Sequence, residues 1–204
     1  MMNDINSITI KPIKKVPGLF VCRRTIVKQK KIIKKLDKKT WIPLSSSNIS
    51  RKVQHYGYKY NYKSKSIYDS APKLPDFMKD MEITLTDICK KLKIIKSDYK
   101  FNQCIVNNYE KGQAISKHID VLAYGDVIGC YSIGNRNAIM VFTKGTERVE
   151  IKARPKSLYI MSGDARYKWK HEMQTLKAFP KGHKKVGTAP RRISVTFRNV
   201  PVKK

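Results

Sequence analysis

The sequence predicts an α+β fold that is mainly β, in which an amphipathic helix packs against a β-sandwich or jelly roll. Three observations support this prediction. The chain has 204 residues, about one domain, and 41% are hydrophobic, which is enough for a core. One segment has the spacing of an amphipathic helix. Much of the chain beyond it consists of short strand-like runs separated by turn signals, and pairing two sheets protects the edges of such strands.

The helix is predicted over residues 75–92. Apolar side chains recur there at steps of three and four, which places them on one helix face: Phe77, Met81, Leu85, Ile88 and Leu92. We expect this face to cover one side of a sheet. The predicted strands are residues 103–109, 127–133, 138–142, 148–153, 157–161 and 193–200, with turn residues at 134–137.

The first 45 residues are rich in positive charge. They hold 12 basic and 2 acidic residues, and the densest run is residues 28–39. We therefore predict a basic N-terminal extension over residues 1–45, followed by one folded domain over residues 46–204. The extension is either an arm that docks on phosphates or a solvated helix or loop that keeps the protein soluble.

The whole chain is also strongly basic. Its 44 Lys and Arg against 15 Asp and Glu give a net charge of +29, which favours a polyanionic partner such as nucleic acid over an acidic protein. No run of about 18 apolar residues predicts a membrane span, and no leader pattern opens the chain. The 4 cysteines form no Cys-x-x-Cys pair. We expect an intracellular monomer, cytoplasmic or nuclear rather than secreted, that does not bind membranes.

A metal site is predicted around His118 and Asp120. Residues two apart in an extended segment point to the same side, so this imidazole and carboxylate can bind one ion. A third ligand must come from His55, His171 or His183, and His171 ends a strand-turn segment that a neighbouring strand could bring across. Two histidines and one carboxylate are typical of non-haem Fe(II) oxygenases. The alternative is that His118 is an ordinary hydrogen-bonded surface histidine.

The last strand carries two arginines on the face opposite its apolar residues. Arg192 and Arg198 lie about 20 Å apart along an extended strand, at about 3.3 Å per residue. They are too far apart to bind one carboxylate. Their side chains could reach inward toward the two ends of a dicarboxylate, since guanidinium binds carboxylate bidentately. Arg148 and Arg154 have the same spacing but precede His171, whereas an oxygenase needs the pair after it.

Taken together, these motifs resemble the AlkB family of Fe(II)/2-oxoglutarate dioxygenases. The resemblance covers about residues 50–200 and rests on motifs in the family's order: Asn107-x-Tyr109, Gly112, Ile115, His118-x-Asp120, residues 163–171 and Arg192-x5-Arg198. Residues 51–58 and 162–171 look most similar to the oxygenase domain of AlkB homologues that modify the tRNA wobble uridine. The resemblance implies a double-stranded β-helix, which is a jelly roll, and Fe(II), 2-oxoglutarate and O₂ as cofactors.

The resemblance also implies roles for individual residues. His118, Asp120 and His171 match the family's iron ligands. Asn107 and Tyr109 match polar residues that hydrogen-bond 2-oxoglutarate. Arg192 matches the residue that pairs with the far carboxylate of 2-oxoglutarate. Arg198 matches the arginine that lies near the iron-bound end of 2-oxoglutarate and near Asp120.

A nucleotide-recognition segment is expected at residues 51–70. Tyr56, Tyr58, Tyr60 and Tyr62 alternate with other residues, with Lys59, Lys63 and Lys65 nearby. In an extended segment the four rings share one face, which suits stacking on a splayed base. The alternative is a half-buried strand. Because the family uses this region to cover its active site, we expect Tyr58 and Tyr60 near substrate. We expect Tyr167 and Trp169 in the core and His183 in solvent.

The implied function is oxidation of nucleic acid, either DNA or RNA and possibly tRNA. Hydroxylation of a carbon attached to a base nitrogen releases formaldehyde and demethylates the base, whereas hydroxylation of an ordinary carbon chain is stable. The motifs do not choose between these outcomes. The alternatives are an inactive nucleic-acid-binding protein on the same scaffold and an oxygenase of methylated protein. Wobble-uridine homologues also carry RNA-binding and methyltransferase domains that this sequence lacks, so a methylated substrate would need a methyltransferase in trans.

Overall fold

The computed structural model describes residues 2–45, 50–68, 71–178 and 189–201. The helices of this described part are α1 (Gln29–Asp37), α2 (Asp76–Lys91) and α3 (Gly163–Tyr167), and a 3₁₀ turn covers Ile5–Ser7. Its strands are β1 (Thr9–Pro12), β2 (Leu19–Arg23), β3 (Ile42–Pro43), β4 (Lys52–Tyr56), β5 (Lys59–Asn61), β6 (Ser66–Tyr68), β7 (Gln103–Glu110), β8 (Ile115–His118), β9 (Ile128–Gly134), β10 (Ala138–Lys144), β11 (Glu147–Ala153), β12 (Ser157–Met161), β13 (Lys170–Met173) and β14 (Arg191–Arg198).

Two antiparallel sheets form the sandwich. Over the described ranges, the major sheet has the order β1-β2-β12-β9-β14-β7-β4-β3 and the minor sheet the order β11-β10-β13-β8, while β5 and β6 form a separate hairpin. One apolar cluster lies between the sheets and includes Val21 and Tyr159 from the major sheet and Met140 and Phe142 from the minor sheet. The other face of the major sheet packs against the helices. The predicted mainly-β jelly roll with a supporting helix is confirmed.

Side chains of strand β14 point alternately to the helix side of the major sheet and to the space between the sheets. Ile193, Val195 and Phe197 are fully buried in the cluster on the helix side. Arg192 and Arg198, with the two hydroxyl residues between them, face the space between the sheets. The predicted division of this strand into an apolar and a polar face is therefore confirmed.

Helix α2 covers the major sheet as predicted. Its buried residues are Met78, Met81, Leu85, Ile88 and Cys89. Close approach to β9 depends on Gly129, because a Cβ atom added there would lie 2.4 Å from Leu85 Cδ2. All six predicted strands are present, with ends shifted by at most two residues. The short strands β8 and β13, which carry the site histidines, were not predicted.

The predicted boundary at residue 45 is wrong. Strand β2 pairs with β12 inside the major sheet, with Leu19 opposite Met161. On α1, Ile32 and Leu36 are fully buried in the core cluster that contains α2. These two residues are four apart and share one helix face, but the surrounding lysines dominate the composition. Residues 9–43 are therefore part of the domain rather than an arm attached to it.

The lysines of α1 lie on the helix side of the major sheet, opposite the space between the sheets. Four of these lysines are exposed: Lys30, Lys31, Lys34 and Lys35. At the end of the helix, Asp37 Oδ1 lies 2.6 Å from Arg191 Nη2. This matches the alternative of a solvated helix. No helix in the described ranges is long and apolar enough to cross a membrane.

We predict that Ile32→Ala lowers the free energy of unfolding by about 2–4 kcal/mol, because it leaves a cavity beneath α1. Lys31→Ala, on the exposed face of the same helix, should change it by less than about 0.5 kcal/mol. Urea denaturation followed by circular dichroism measures both. Equal stability of the two variants would show that α1 is not part of the core.

Candidate functional site

Three side chains that can bind a metal meet at one end of the space between the sheets. His118 ends β8, His171 lies on β13, and the two are direct partners across the antiparallel pair. Asp120 follows two residues after His118. The ring centroids of the histidines are 4.4 Å apart, and the ligand atoms of all three residues lie within 4.8 Å of one another. A single ion could therefore contact the three residues that the sequence predicted.

The hydrogen bonds of His118 leave one ring nitrogen free for a metal. Its Nδ1 lies 2.7 Å from the carbonyl oxygen of Ser116. Because a carbonyl only accepts, Nδ1 must carry the proton, and the neutral ring then presents a lone pair on Nε2. Burial and the neighbouring His171 lower the pKa of His118 to about 4, although Asp120 opposes this shift. The imidazole is thus neutral near pH 7, as a metal ligand must be.

Asp120 is held as a carboxylate by Arg198. The Nε and Nη2 atoms of Arg198 lie 2.9 and 2.8 Å from Asp120 Oδ1, and both residues are 8% exposed. Burial alone would raise the pKa of Asp120, but the charge of Arg198 and the contact with His171 hold it well below its usual range. The other oxygen, Oδ2, lies 3.4 Å from His171 Nε2. One oxygen of Asp120 thus contacts the arginine and the other faces the histidine.

Arg192 lies at the far end of the same cleft and is 2% exposed. Its Nε donates to Ser132 Oγ at 3.1 Å, its Nη1 lies 3.1 Å from Met173 Sδ, and its guanidinium sits 5.4 Å from the Tyr109 ring centroid. Within the described ranges, no carboxylate lies within ion-pair distance of it. A buried, uncompensated guanidinium is costly, so this end of the cleft is suited to an anion.

We call this space the inner cleft. It contains the histidines, Asp120 and the arginines together with both polar residues predicted on the first core strand, Asn107 and Tyr109. Its volume is about 480 Å³, open mouth included. Asn107 accepts a hydrogen bond from Arg51 Nε at 3.0 Å. A dicarboxylate could extend from the metal-binding residues to Arg192.

A second space, the outer cleft, opens on the other side of the same residues. Its lining shares Asn107, His118, Asp120 and Arg198 with the inner cleft and adds Arg51, Tyr60, Tyr62, Lys65 and Tyr124. Its volume is about 830 Å³, open mouth included. The rings of Tyr60 and Tyr62 meet edge to face at 5.0 Å. Two clefts thus share one floor, which carries His118 and Asp120, whereas His171 lines the inner cleft alone.

The four tyrosines of residues 51–70 do not share one face. Tyr56 is buried in the core, and its hydroxyl donates to Gln54 Oε1. Gly57 then turns the chain with φ +74°, so the alternation is lost between β4 and β5. Tyr60 lines the outer cleft, whereas Tyr58 does not. The expected shared face assumed one continuous extended segment, which Gly57 interrupts.

Arg166 organises the chain that follows Asp120, and sequence reasoning missed its role. It lies on α3 and is 2% exposed. Its guanidinium donates to the carbonyl oxygens of Asp120, Val121, Tyr124 and Gly125 at 2.8–3.2 Å. The motif at residues 163–171 includes this arginine. Its role could not be predicted, because hydrogen bonds from a side chain to backbone distant in sequence produce no periodic pattern.

The aromatic residues beside His171 have different environments. Trp169 is 1% exposed and belongs to the core between the sheets, as predicted. Tyr167 is 39% exposed, and its hydroxyl lies 2.6 Å from Asp126 Oδ1, so the expectation that it packs in the core was wrong. His183 lies outside the described residues.

Comparison with known proteins identifies the family. The pattern of the 2OG-Fe(II) oxygenase superfamily matches residues 23–198. The chain belongs to this superfamily. It is an AlkB-like Fe(II)/2-oxoglutarate-dependent dioxygenase, and its cofactors are Fe(II), 2-oxoglutarate and O₂, as predicted. The matched region begins within the first 45 residues, in agreement with their place in the fold.

Several curated relatives are similar to this chain. The uncharacterized protein L905 of Acanthamoeba polyphaga mimivirus is 35% identical over 181 residues, which cover 84% of this chain and 79% of the relative. The alkylated DNA repair protein ALKBH8 homolog of Arabidopsis thaliana is 26% identical, over 91% of this chain and 59% of the relative. The tRNA (carboxymethyluridine(34)-5-O)-methyltransferase ALKBH8 of Mus musculus is 31% identical, over 76% of this chain. The match covers only 24% of that mouse protein.

Solved structures share the fold. OsALKBH1 superposes with a TM-score of 0.67 at 16% identity, over 93% of this chain and 99% of that one. A 2OG-Fe(II) oxygenase family oxidoreductase from Burkholderia pseudomallei superposes with a TM-score of 0.63 at 12% identity. The superposition covers 89% of this chain and 84% of that one. The jelly roll is thus a common architecture.

We predict that Arg198→Met destabilises the metal-free protein by about 3–5 kcal/mol, because it leaves the carboxylate of Asp120 buried without its partner. Adding Asp120→Asn to that variant should recover part of the loss. Arg154→Met, which alters an exposed arginine, should cost less than about 0.5 kcal/mol. Thermal unfolding in the presence of a chelator measures all three. If the double variant were no more stable than Arg198→Met, the pair would not be the cause.

Proposed function

We propose that this oxygenase acts on nucleic acid, hydroxylating a modified uridine such as that at the tRNA wobble position. The observation that carries the proposal is the shared floor of the two clefts. One side of this floor is suited to a dicarboxylate and the other to a planar base, and two of the three metal-binding residues, His118 and Asp120, line both sides. A methylated wobble uridine would also need a methyltransferase to act first, in trans.

His118, Asp120 and His171 would hold the iron. A metal held by two imidazoles and one carboxylate would keep coordination positions for a co-substrate. When bound, Fe(II) with 2-oxoglutarate and O₂ supplies the oxidant that places one oxygen atom on a substrate carbon, while 2-oxoglutarate becomes succinate and CO₂. Arg198 keeps Asp120 ionised and oriented, and the Ser116 carbonyl fixes the ring of His118.

The inner cleft would hold 2-oxoglutarate. Arg192 would pair with its far carboxylate, which supplies the anion that this buried guanidinium lacks. Asn107 and Tyr109 would donate hydrogen bonds along its length, and Arg198 would lie near its metal-bound end. Burial of these groups keeps water from competing for them.

The outer cleft would receive the base. An enzyme that modifies a base must take it out of the stack, and Tyr60 and Tyr62 offer ring faces and edges for stacking. Arg51 and Lys65 provide positive charge for the phosphates on either side of the target. The net charge of +29 favours the same class of partner.

The charge of the outer cleft favours a neutral uridine over a cationic alkylated base. The acid in its described lining is Asp120, which Arg198 already neutralises, whereas Arg51 and Lys65 are positive. Adenine alkylated at N1 and cytosine alkylated at N3 carry a positive charge that these residues would repel. Stable hydroxylation is therefore favoured over oxidative demethylation. The names of the mouse and Arabidopsis relatives, which refer to a wobble-position uridine and to alkylated DNA, support nucleic acid as the substrate.

We predict that His118→Ala abolishes succinate formation and leaves RNA binding within about twofold, because it removes a metal ligand while the outer cleft keeps its charge. Lys117→Ala, on the neighbouring position of the same strand, should retain turnover. Fluorescence anisotropy with a labelled anticodon stem-loop measures binding. A proportional loss of binding and turnover would instead assign His118 a structural role.

We predict that Arg192→Met raises the KM for 2-oxoglutarate by about 30-fold or more, because it removes a charged partner of the far carboxylate. Arg191→Met changes the adjacent arginine, which pairs with Asp37 on the other side of the strand, and should leave this KM unchanged. Succinate release measures both. An unchanged KM in Arg192→Met would place 2-oxoglutarate elsewhere.

The proposed substrate is tested with Fe(II), 2-oxoglutarate and a panel of methylated DNA, RNA and modified tRNA oligonucleotides, followed by mass spectrometry of the nucleosides. Addition of one oxygen atom to a modified uridine is the expected product. Formaldehyde release from cationic alkylated bases would contradict the charge argument and indicate demethylation.

A further inference from the structure

The segment Val121–Gly125, which we call the recognition loop, begins directly after Asp120 and borders the outer cleft. Both Val121 and Tyr124 contribute to the lining of that cleft. The buried guanidinium of Arg166 fixes the loop by donating to the carbonyl oxygens of Val121, Tyr124 and Gly125. It bonds the carbonyl of Asp120 as well. The side chains of the loop are therefore presented from a rigid backbone tied to the metal-binding residues.

The side chain of Tyr124 is turned inward. It is 4% exposed, its ring centroid lies 4.9 Å from Cζ of Arg198, and the ring of Tyr60 is 6.3 Å away. Its hydroxyl is buried and finds no partner among the described residues. Unsatisfied buried hydroxyls are uncommon in folded proteins and call for an explanation. A polar base edge in the outer cleft would supply the missing partner.

Leu122 is turned outward at the tip of the same loop. It is 79% exposed, the largest exposed fraction among the large hydrophobic side chains of the described residues. A single exposed leucine is ordinary on a protein surface. This one, however, lies on a clamped loop between Asp120 and Tyr124, both of them buried and lining the outer cleft. Nucleic-acid-binding proteins insert apolar side chains of this kind between base steps.

We propose that the recognition loop extrudes and reads the target nucleotide. Tyr124 donates or accepts a hydrogen bond at the polar edge of the extruded base, and Leu122 fills the space that the base leaves between its stacked neighbours. This inference rests on the proposed action on nucleic acid. It assigns to one rigid loop the two tasks that a base-modifying enzyme must perform, opening the stack and recognising what leaves it.

The first experiment tests Tyr124 with Tyr124→Phe, which keeps the ring over Arg198 and removes the hydroxyl. The probe is an anticodon stem-loop oligonucleotide with the methyl ester of 5-carboxymethyluridine at the wobble position. We expect a KM for this probe about tenfold higher, with the same increase for the free nucleoside. An unchanged KM would overturn the role of Tyr124.

Tyr159→Phe is the matched control. Its hydroxyl bonds the backbone at Arg154 and Lys152, away from the outer cleft. Its loss should therefore lower thermal stability without changing the KM for the probe. If both tyrosine variants raised this KM equally, the effect of Tyr124→Phe would be structural.

The second experiment tests Leu122 with Leu122→Ala. We expect kcat/KM to fall about tenfold on the stem-loop and by less than about twofold on the free nucleoside, which has no stack to open. Leu122→Met should restore most of the loss. Ile83→Ala, which shortens a 54% exposed side chain on α2, should have no effect. An equal loss of kcat/KM on the stem-loop and on the nucleoside would overturn the proposal that Leu122 fills the space left by the base.

A binding measurement separates this inference from the proposed function. The fluorescent base 2-aminopurine next to the target brightens when its neighbour leaves the stack, and it does so without turnover. The wild-type protein should brighten it and Leu122→Ala should not. Absence of binding to any nucleic acid would refute the proposed function, whereas binding with equal brightening by both proteins would refute only the role of Leu122.

Discussion

The buried ion pair between Arg198 and Asp120 is the interaction on which both clefts depend. Arg198 ends β14 in the major sheet, and Asp120 follows β8 in the minor sheet, so the pair joins the two sheets at the metal-binding end. Either charge alone would be costly to bury, and together they compensate one another. The second oxygen of Asp120 stays directed toward His171. The electrostatics that close the sandwich thus also fix the geometry of the candidate iron site.

Much of this architecture could be predicted from periodicity. Apolar residues alternate along β14 and recur every three or four residues along α2, so each element has one apolar face. Burial of that face determines where the element packs. The meeting of His118 and His171 was predictable only as one possibility, because antiparallel pairing between strands of four residues leaves little signal in the sequence.

The errors have equally physical causes. Lysines around Ile32 and Leu36 suggested an arm, yet two apolar residues on one face were enough to dock α1 on the sheet. The tyrosines of residues 51–70 do not share one face because Gly57 reverses the chain with a positive φ, and a Cβ at that position would lie 1.9 Å from the Asn102 carbonyl oxygen. The functions of Arg166 and Tyr124 depend on contacts distant in sequence, so no local pattern could reveal them.

The order of strands in the major sheet constrains how the protein is made. Strand β14 is the last strand of the described chain, yet it lies between β9 and β7 at the centre of the sheet. Residues synthesised much earlier must keep their unpaired edges protected until residues 191–198 emerge from the ribosome. Long-range pairing of this kind slows folding and leaves a nascent chain open to aggregation. Both arginines of the site arrive with that final strand, so the clefts and the hydrophobic core are completed in the same event.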